Sequence, residues 1–285
     1  MRICIVIPAH NEAQYICDCL YSFVHQTWPP DEVIVVDDNS SDDTYELVKG
    51  FSKDHPWIRI VRHQSTSQHL PGAKVIQAFN FGMKQCTIDY DLIGKFDADI
   101  VLPHNYFEQM RNHFQANWLL GMCSGLLYTN HNKVWSYEKI ANKSHVRGPI
   151  KLYYREVFEL MGGLREGVGW DTVDVLLCQY HEFEVMTDET LMVKHLRPTG
   201  HGYSKKNYRK KGEALYKMRY GLPLSKLALF KMAVHTKSIP LYLEGIFGYV
   251  KAWLSSQGRF VTPEEGKFIR KLRWKGIVNK LSSKY

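Results

Sequence analysis

Apolar and polar positions along the first hundred residues follow a rhythm that reads as strand, turn, helix and strand again. Ile3 to Ile7 is an apolar run stopped by Pro8, and it predicts a first buried strand. After the turn Pro8-Ala9-His10-Asn11-Glu12, the residues Tyr15, Cys19, Leu20 and Phe23 recur at helical spacing, and Pro29-Pro30 forbids continuation past Trp28. Glu32 to Val36 is nearly all branched aliphatic, as expected of a strand covered on both faces. It runs into Asp37-Asp38-Asn39-Ser40-Ser41-Asp42-Asp43, and Thr44 to Phe51 then reads as a helix with acidic residues at its N-terminus. Ile58 to Val61, Ala73 to Met83 and Leu92 to Phe96 follow as strand, helix and strand. This alternation predicts an α/β fold whose central sheet is mostly parallel and doubly wound, with helices on both faces.

In such sheets ligands gather outside the carboxyl ends of the strands. The first strand ends in Pro8, His10, Asn11 and Glu12, the second in Asp37 and Asp38, and the fourth in Asp97-Ala98-Asp99, so three polar clusters are expected on one edge. Asp37 and Asp38 could accept hydrogen bonds from a base N–H or a ribose hydroxyl. On strand spacing Asp97 and Asp99 share one face, with backbones roughly 7 Å apart. Two carboxylates that close repel each other unless a cation lies between them. Hard oxygen ligands suit Mg²⁺ or Mn²⁺, which keep further positions for water and substrate phosphates. There is no Gly-x-x-x-x-Gly-Lys-Ser/Thr and no Gly-x-Gly-x-x-Gly, so metal rather than a glycine cradle is expected to hold a diphosphate.

Further along, Arg147 to Tyr154 precedes a helix through Phe158 and Met161 that closes at Gly162-Gly163. In Gly167-Val168-Gly169-Trp170-Asp171-Thr172-Val173-Asp174, the glycines allow a tight turn and Asp171 sits where an N-cap or first-turn acid belongs. Asp171 is either that cap or a general base, and Asp174, three residues on, could orient or replace it. Met192 to Pro198 reads as a strand end carrying His195 and Arg197, which could help to hold a diphosphate.

Composition supplies a core for one large domain plus an extension: 45% of the 285 residues are hydrophobic and 13% aromatic. The six cysteines, Cys4, Cys17, Cys19, Cys86, Cys123 and Cys178, contain no Cys-x-x-Cys, which argues against a zinc site or a disulfide framework and fits a reduced cytoplasmic setting. No uncharged apolar run reaches the roughly 18 residues of a membrane span. The net charge of +8 conceals an asymmetry, because residues 1–200 hold 18 Lys and Arg against 25 Asp and Glu, whereas residues 201–285 hold 19 against 4. An acidic body, 1–200, is therefore expected to carry a basic helical extension, 201–285. Two clusters, Lys205, Lys206, Arg209, Lys210 and Lys211, then Lys267, Arg270, Lys271, Arg273 and Lys275, flank an apolar stripe of Leu243, Ile246, Phe247, Val250 and Leu254 with Tyr242, Tyr249 and Trp253 alongside. That pattern predicts an interfacial helix resting on an anionic membrane surface, peripheral on the inner face of the cytoplasmic membrane; the other reading packs the stripe on the body.

Ile7-Pro8-Ala9-His10-Asn11-Glu12, followed by His25-Gln26-Thr27-Trp28-Pro29-Pro30-Asp31-Glu32-Val33-Ile34-Val35-Val36-Asp37-Asp38-Asn39-Ser40, resembles family 2 glycosyltransferases in order and spacing over about residues 1–200. The resemblance implies a Rossmann-like GT-A fold, a UDP- or GDP-sugar donor, Mg²⁺ or Mn²⁺, and inversion at the anomeric carbon. It places Pro8 and Glu12 in the nucleotide pocket, Asp38 at the base or ribose, and Asp97 and Asp99 at the family's Asp-x-Asp, with Asp99 the main metal ligand. Gly163 and Trp170 frame the acceptor side. Asp171 falls at the catalytic base, usually within a Glu-Asp pair; here Trp170 replaces the Glu, so the choice between Asp171 and Asp174 stays open. Trp-Asp-x-x-Asp with His-Leu-Arg-Pro resembles bacterial enzymes that build surface polysaccharides, implying a glycan or lipid-linked acceptor. In the expected mechanism Asp97, Asp99 and His195 hold the metal, while His195, Arg197 and Lys95 stabilise the leaving diphosphate. A nucleotidyltransferase would need a basic, glycine-rich phosphate loop that Pro8 to Glu12 does not provide. A nucleic-acid-binding protein would leave the strand-end carboxylates unexplained, so no nucleic acid partner is expected.

Overall fold

The first strand, β1 (Ile3–Ala9), is central to the sheet because nearly every side chain on both of its faces finds apolar cover. A computed structural model describes residues 1–65, 72–198 and 205–282; the side chains of Lys205, Lys206, His235 and Leu281 lie outside the described part, as does the expected boundary at residue 200. β1 is followed by α1 (Ile16–Val24), β2 (Glu32–Asp38), α2 (Thr44–Asp54), β3 (Ile58–His63), α3 (Ala73–Met83) and β4 (Leu92–Phe96), in agreement with the alternation read from the sequence. The chain continues through β5 (Ile100–Val101), α4 (Tyr106–Ala116), β6 (Leu120–His131), β7 (Val134–Tyr137), β8 (Ile150–Tyr154), α5 (Arg155–Leu160), α6 (Trp170–Tyr180) and β9 (Glu184–His195). Four helices complete it: α7 (Lys205–Lys217), α8 (Leu222–His235), α9 (Ile239–Leu254) and α10 (Pro263–Ser282).

Among the described residues the strands form one sheet in the order β3-β2-β1-β4-β8-β6-β9-β5, with β7 paired to β6. The pairings from β3 through β4 are parallel, as expected of crossover helices. Antiparallel pairing enters with β8, which lies between β4 and β6, and again where β5 meets β9. Beneath the sheet Phe23, Phe96, Tyr106 and Phe107 pack largely edge to face, with ring centroids 5.4 to 6.0 Å apart. The fully buried Arg111 accompanies them. Its guanidinium donates to the carbonyls of Met1, Trp28 and Pro29 and to Asp31, so a desolvated cation closes the start of β1.

The chain divides into two compact units, Met1–Glu166 with His181–Thr199, and Gly167–Tyr180 with Gly200–Tyr285. The first contains the whole sheet. The second is helical, and besides the C-terminal helices it takes in α6, which carries Asp171 and Asp174. Within it α7 and α9 approach so closely that a Cβ on Gly212 would strike the carbonyl of Gly245, and one on Gly248 the carbonyl of Arg209. Tyr216 and Tyr249 pack edge to face beside this contact at 5.7 Å, and Tyr180 of α6 meets Phe268 of α10 at 5.5 Å. No helix among the described residues is long and apolar enough to cross a membrane.

Candidate functional site

Parallel strands end together, so the loops beyond β1, β2 and β4 share one edge and enclose a cavity of 390 Å³. Pro8, Ala9, His10 and Glu12 line it from β1, Asp38 from β2, Asp97 to Asp99 from β4, Gly72, Lys74 and Val75 from the start of α3, and Arg197 from beyond β9. The β1 and β2 loops are laced together. Asn11 and Asn39 adopt left-handed backbone (φ 56° and 57°), which short amide side chains tolerate. Ser41 donates its amide to Asn11, Glu12 donates to Thr44 Oγ1, and Ala13 to Asp42. Asp42, in a run that resembles a solvated acidic loop, thus holds two loops in register.

Asp97 and Asp99 fall in the turn between β4 and β5 rather than on the strand, so strict alternation does not govern them and their surroundings differ. The buried Lys95 ammonium pairs with Asp97 from behind and also donates to the carbonyl of Gly148 at 3.2 Å. Asp99 is aligned by backbone. β5 pairs Ile100 with His195 of β9, and the amide of Leu196 donates to the carbonyl of Asp99 at 2.8 Å. His195 Nε2 consequently stands 3.6 Å from Asp99 Oδ1, and Arg197 Nε donates to Asp99 Oδ2 at 3.1 Å while its other nitrogen reaches Glu12. Burial opposes ionisation of Asp99, but His195 and Arg197 outweigh it and hold its carboxyl below the usual range.

Behind His195 lies a second carboxylate. Asn132 and Lys133 both adopt positive φ, the geometry of a tight hairpin turn, and fold β7 back on β6. Just past the strand's end comes Glu138, whose amide donates to the carbonyl of Leu127, and β6 is itself paired with β9. This brings Glu138 Oε2 to 3.2 Å from His195 Nδ1, with the Arg147 guanidinium donating to the same oxygen. Burial works against a charged imidazole, yet the carboxylates of Asp99 and Glu138 on its two sides push His195 up to about 9. A relay of charged groups therefore runs Arg147, Glu138, His195, Asp99, Arg197, Glu12, buried as far as Asp99 and open to solvent at Arg197.

One atom of that relay stands out: Glu12 Oε2 is buried with no hydrogen-bond partner, and burial, ahead of the opposing pull of Arg197, raises its carboxyl above the ordinary value. An unsatisfied buried oxygen facing a cavity calls for a donor or a cation. Asp97, Asp99 and His195 each offer a ligand atom, all within 4.8 Å of one another; the two carboxylates fit Mn²⁺ or Mg²⁺, and His195 can join them only by giving up a proton.

Of the residues singled out in the sequence, Pro8, Glu12, Asp38, Asp97, Asp99 and Arg197 line the cavity, and His195 adjoins Asp99. Asp37 does not; its carboxylate turns inward and accepts the amide of Ser40 at 3.3 Å. Lys95 does not line it either, because its ammonium is taken up behind Asp97. Asp38 accepts from His63 Nδ1 at 3.1 Å and from the amide of Ser65 at 3.2 Å. Asp171, half-buried in the first turn of α6, and Asp174, buried with its Oδ1 on the amide of Val175, belong to the second unit. Glu138, Arg147 and Lys74 were not expected at the site. For Lys74 the signal was present, since a glycine ahead of a helix with lysine in its first turn marks an anion-binding end.

The family model for glycosyl transferase family 2 matches residues 4–169. Poly-beta-1,6-N-acetyl-D-glucosamine synthase of Staphylococcus epidermidis is 27% identical over 149 residues, covering 52% of this chain and 31% of that protein, so the match spans about a third of the relative's length. Among solved structures, the mannosyltransferase PcManGT from Pyrobaculum calidifontis in complex with GDP-Man and Mn²⁺ superposes with a TM-score of 0.58 at 18% identity, over 98% of this chain and 80% of that one. S. aureus TarS 1–349 in complex with UDP-GlcNAc gives 0.57 at 14%, over 82% and 67%. These likenesses show the GT-A fold.

Proposed function

Because the chain belongs to glycosyl transferase family 2, we propose that it moves a sugar from a UDP- or GDP-sugar to an acceptor hydroxyl in bacterial polysaccharide or glycolipid synthesis, with inversion at the anomeric carbon. The observation that carries this reading is the carboxylate cluster at the strand ends, in which Glu12 Oε2 is left without a partner beside Asp97 and Asp99, opening on a cavity of the size that takes a small ligand, roughly 300–1,000 Å³. Neighbours of the same fold with GDP-Man and Mn²⁺, or with UDP-GlcNAc, support a nucleotide-sugar donor and a divalent metal.

Asp97, Asp99 and His195 would hold Mg²⁺ or Mn²⁺, which when bound supplies positive charge against the diphosphate. Asp38 accepts from the base or ribose. Lys74 and the N-terminus of α3 add positive charge for phosphate, and Arg197 stabilises the leaving nucleoside diphosphate once released from Glu12. Lys95 acts through Asp97, fixing its carboxylate. Asp171 takes the proton from the attacking acceptor hydroxyl, with Asp174 as the other candidate. The acceptor is a glycan or lipid-linked saccharide met at the anionic inner face of the cytoplasmic membrane, where the basic extension rests. Calorimetry with UDP and GDP, with and without Mn²⁺, tests the donor half: metal-dependent binding of one nucleotide is expected, and metal-independent or absent binding of both refutes it.

A further inference from the structure

Helices α8 and α9, joined by Thr236 to Ser238, are apolar on two opposite faces. Inward, Leu224, Leu229 and Ala233 of α8 and Leu241, Tyr249 and Ala252 of α9 are buried. Outward, α8 shows Leu227, Phe230 and Val234 at helical spacing, and α9 shows Ile239, Leu243, Phe247 and Leu254, with Phe230, Val234, Leu243 and Phe247 each 52 to 60% exposed. The outward residues thus add little to the unit's own core, Phe247 meeting the Arg209 guanidinium at 4.7 Å and Phe230 the Tyr242 ring edge to face at 6.1 Å. A helix facing water carries polar residues there, and contiguous apolar exposure marks an interaction surface.

Charge identifies what that surface meets. Lys226 and Lys231 on α8, Lys237 in the connection and Lys251 on α9 are all exposed. Glu244 is the one acid between Leu222 and Leu254, and Arg209 neutralises it at 2.7 Å. A second copy of this chain would set lysine against lysine, whereas an anionic bilayer offers acyl chains to the apolar residues and phosphates to the lysines. Trp253 beside Lys251 adds the amphipathic ring typical of the headgroup layer. At about 1.5 Å per residue, helices of 14 and 16 residues fall short of a hydrocarbon core about 30 Å thick, so such helices lie in the interface rather than cross it. Several cations of the two tail clusters are engaged within the unit: Arg209 with Glu244, Arg270 on the carbonyl of Arg219, and Arg273 on the Tyr220 hydroxyl.

We propose that the outward face of α8 and α9 is a monotopic insertion surface, in which Phe230, Leu243 and Phe247 enter the acyl boundary of an anionic leaflet while Lys226, Lys231 and Lys251 reach back to its phosphates. It deepens the membrane reading of the acceptor by naming the inserting element, and it is measured without donor or acceptor, so its failure is separate from that of sugar transfer. The test is flotation with phosphatidylcholine vesicles and with vesicles also containing phosphatidylglycerol. The full chain should float with the anionic vesicles, and Phe230→Glu with Phe247→Glu should lower the bound fraction about tenfold or more while the circular-dichroism melt stays unchanged. Fluorescence of Leu243→Trp should be quenched beyond wild type by lipids brominated just below the headgroup. Undiminished flotation of the double phenylalanine variant, with binding lost only in Lys226→Glu and Lys231→Glu, overturns insertion. A doubled mass in light scattering without flotation overturns the lipid partner.

Discussion

Two clusters of carboxylate and metal-ligating side chains sit at opposite ends of the same strands, Cys4, Glu32 and Cys86 where β1 and β2 begin, and Asp97, Asp99 and His195 beyond the point where they end. Each brings ligand atoms within 4.8 Å of one another, yet they are chemically unlike. Glu32 is saturated: it accepts from Arg59 Nε at 2.9 Å, from the amide and hydroxyl of Thr87 at 2.9 and 2.8 Å, and from Cys86 at 3.1 Å. At the other end Glu12 Oε2 has no partner, and Glu12 must share the Arg197 guanidinium with Asp99, which His195 also faces. Residue types alone would make both clusters metal sites. Hydrogen-bond satisfaction separates a carboxylate that fastens the fold from one kept for a ligand.

The largest expected effect lies at the unsatisfied end. Asp99→Ala should remove Mn²⁺-dependent nucleotide binding in calorimetry and lower transfer on the order of a thousandfold; unchanged affinity would erase the distinction between the two ends. Asp171→Asn should keep nucleotide affinity and lose turnover by about a hundredfold. If Asp174→Asn is instead the inactive variant, the base is reassigned within α6. Glu138→Gln removes the charge that fixes which His195 nitrogen faces Asp99, so Mn²⁺ affinity, read by calorimetry without donor, should fall about tenfold to a hundredfold. A change confined to the melting temperature would make Glu138 a structural residue only.

Glu32→Gln sharpens the comparison from the other side: transfer and Mn²⁺ affinity should be retained, and stability should fall by about 2 kcal/mol as the bonds to the partly exposed Arg59 weaken. Burial alone would raise the Glu32 carboxyl, but the bonds from Thr87, Cys86 and Arg59 outweigh it and hold it below the ordinary value. The unfolded chain therefore binds the proton first as acid is added. This contribution is complete above the unfolded pKa of about 4.3 and is lost as pH falls through the lower folded value. Thermal melts across that window should show wild type losing more stability than Glu32→Gln.

Much of this was legible in the chain because it is local. The strand and helix alternation through Phe96 follows from runs of branched aliphatics and from Pro29-Pro30, and the strand-end acids announce themselves by position. Glu138 could not be read, since its meaning depends on a hairpin turned at Asn132-Lys133 and on β9 arriving beside β6. Lys95 misleads for a related reason: a lysine ahead of Asp-x-Asp suggests a phosphate contact, and only the backbone of Gly148, 53 residues on, shows its ammonium turned inward. Asp171 and Asp174 read as part of the acidic body because charge along the chain changes at about residue 200, whereas packing groups α6 with the C-terminal helices.

The bridge from Arg197 to Glu12 spans 185 residues, and that separation sets a timetable for biosynthesis. By the time residue 111 has left the ribosome, β1 to β4 and both aspartates of the turn exist, and Arg111 can lock the start of the sheet. Until residue 197 follows, those acids face one another without His195 or Arg197. Lys95 is already there for Asp97, but Glu12 and Asp99 stay without a cation until the last strand of the sheet among the described residues is in place.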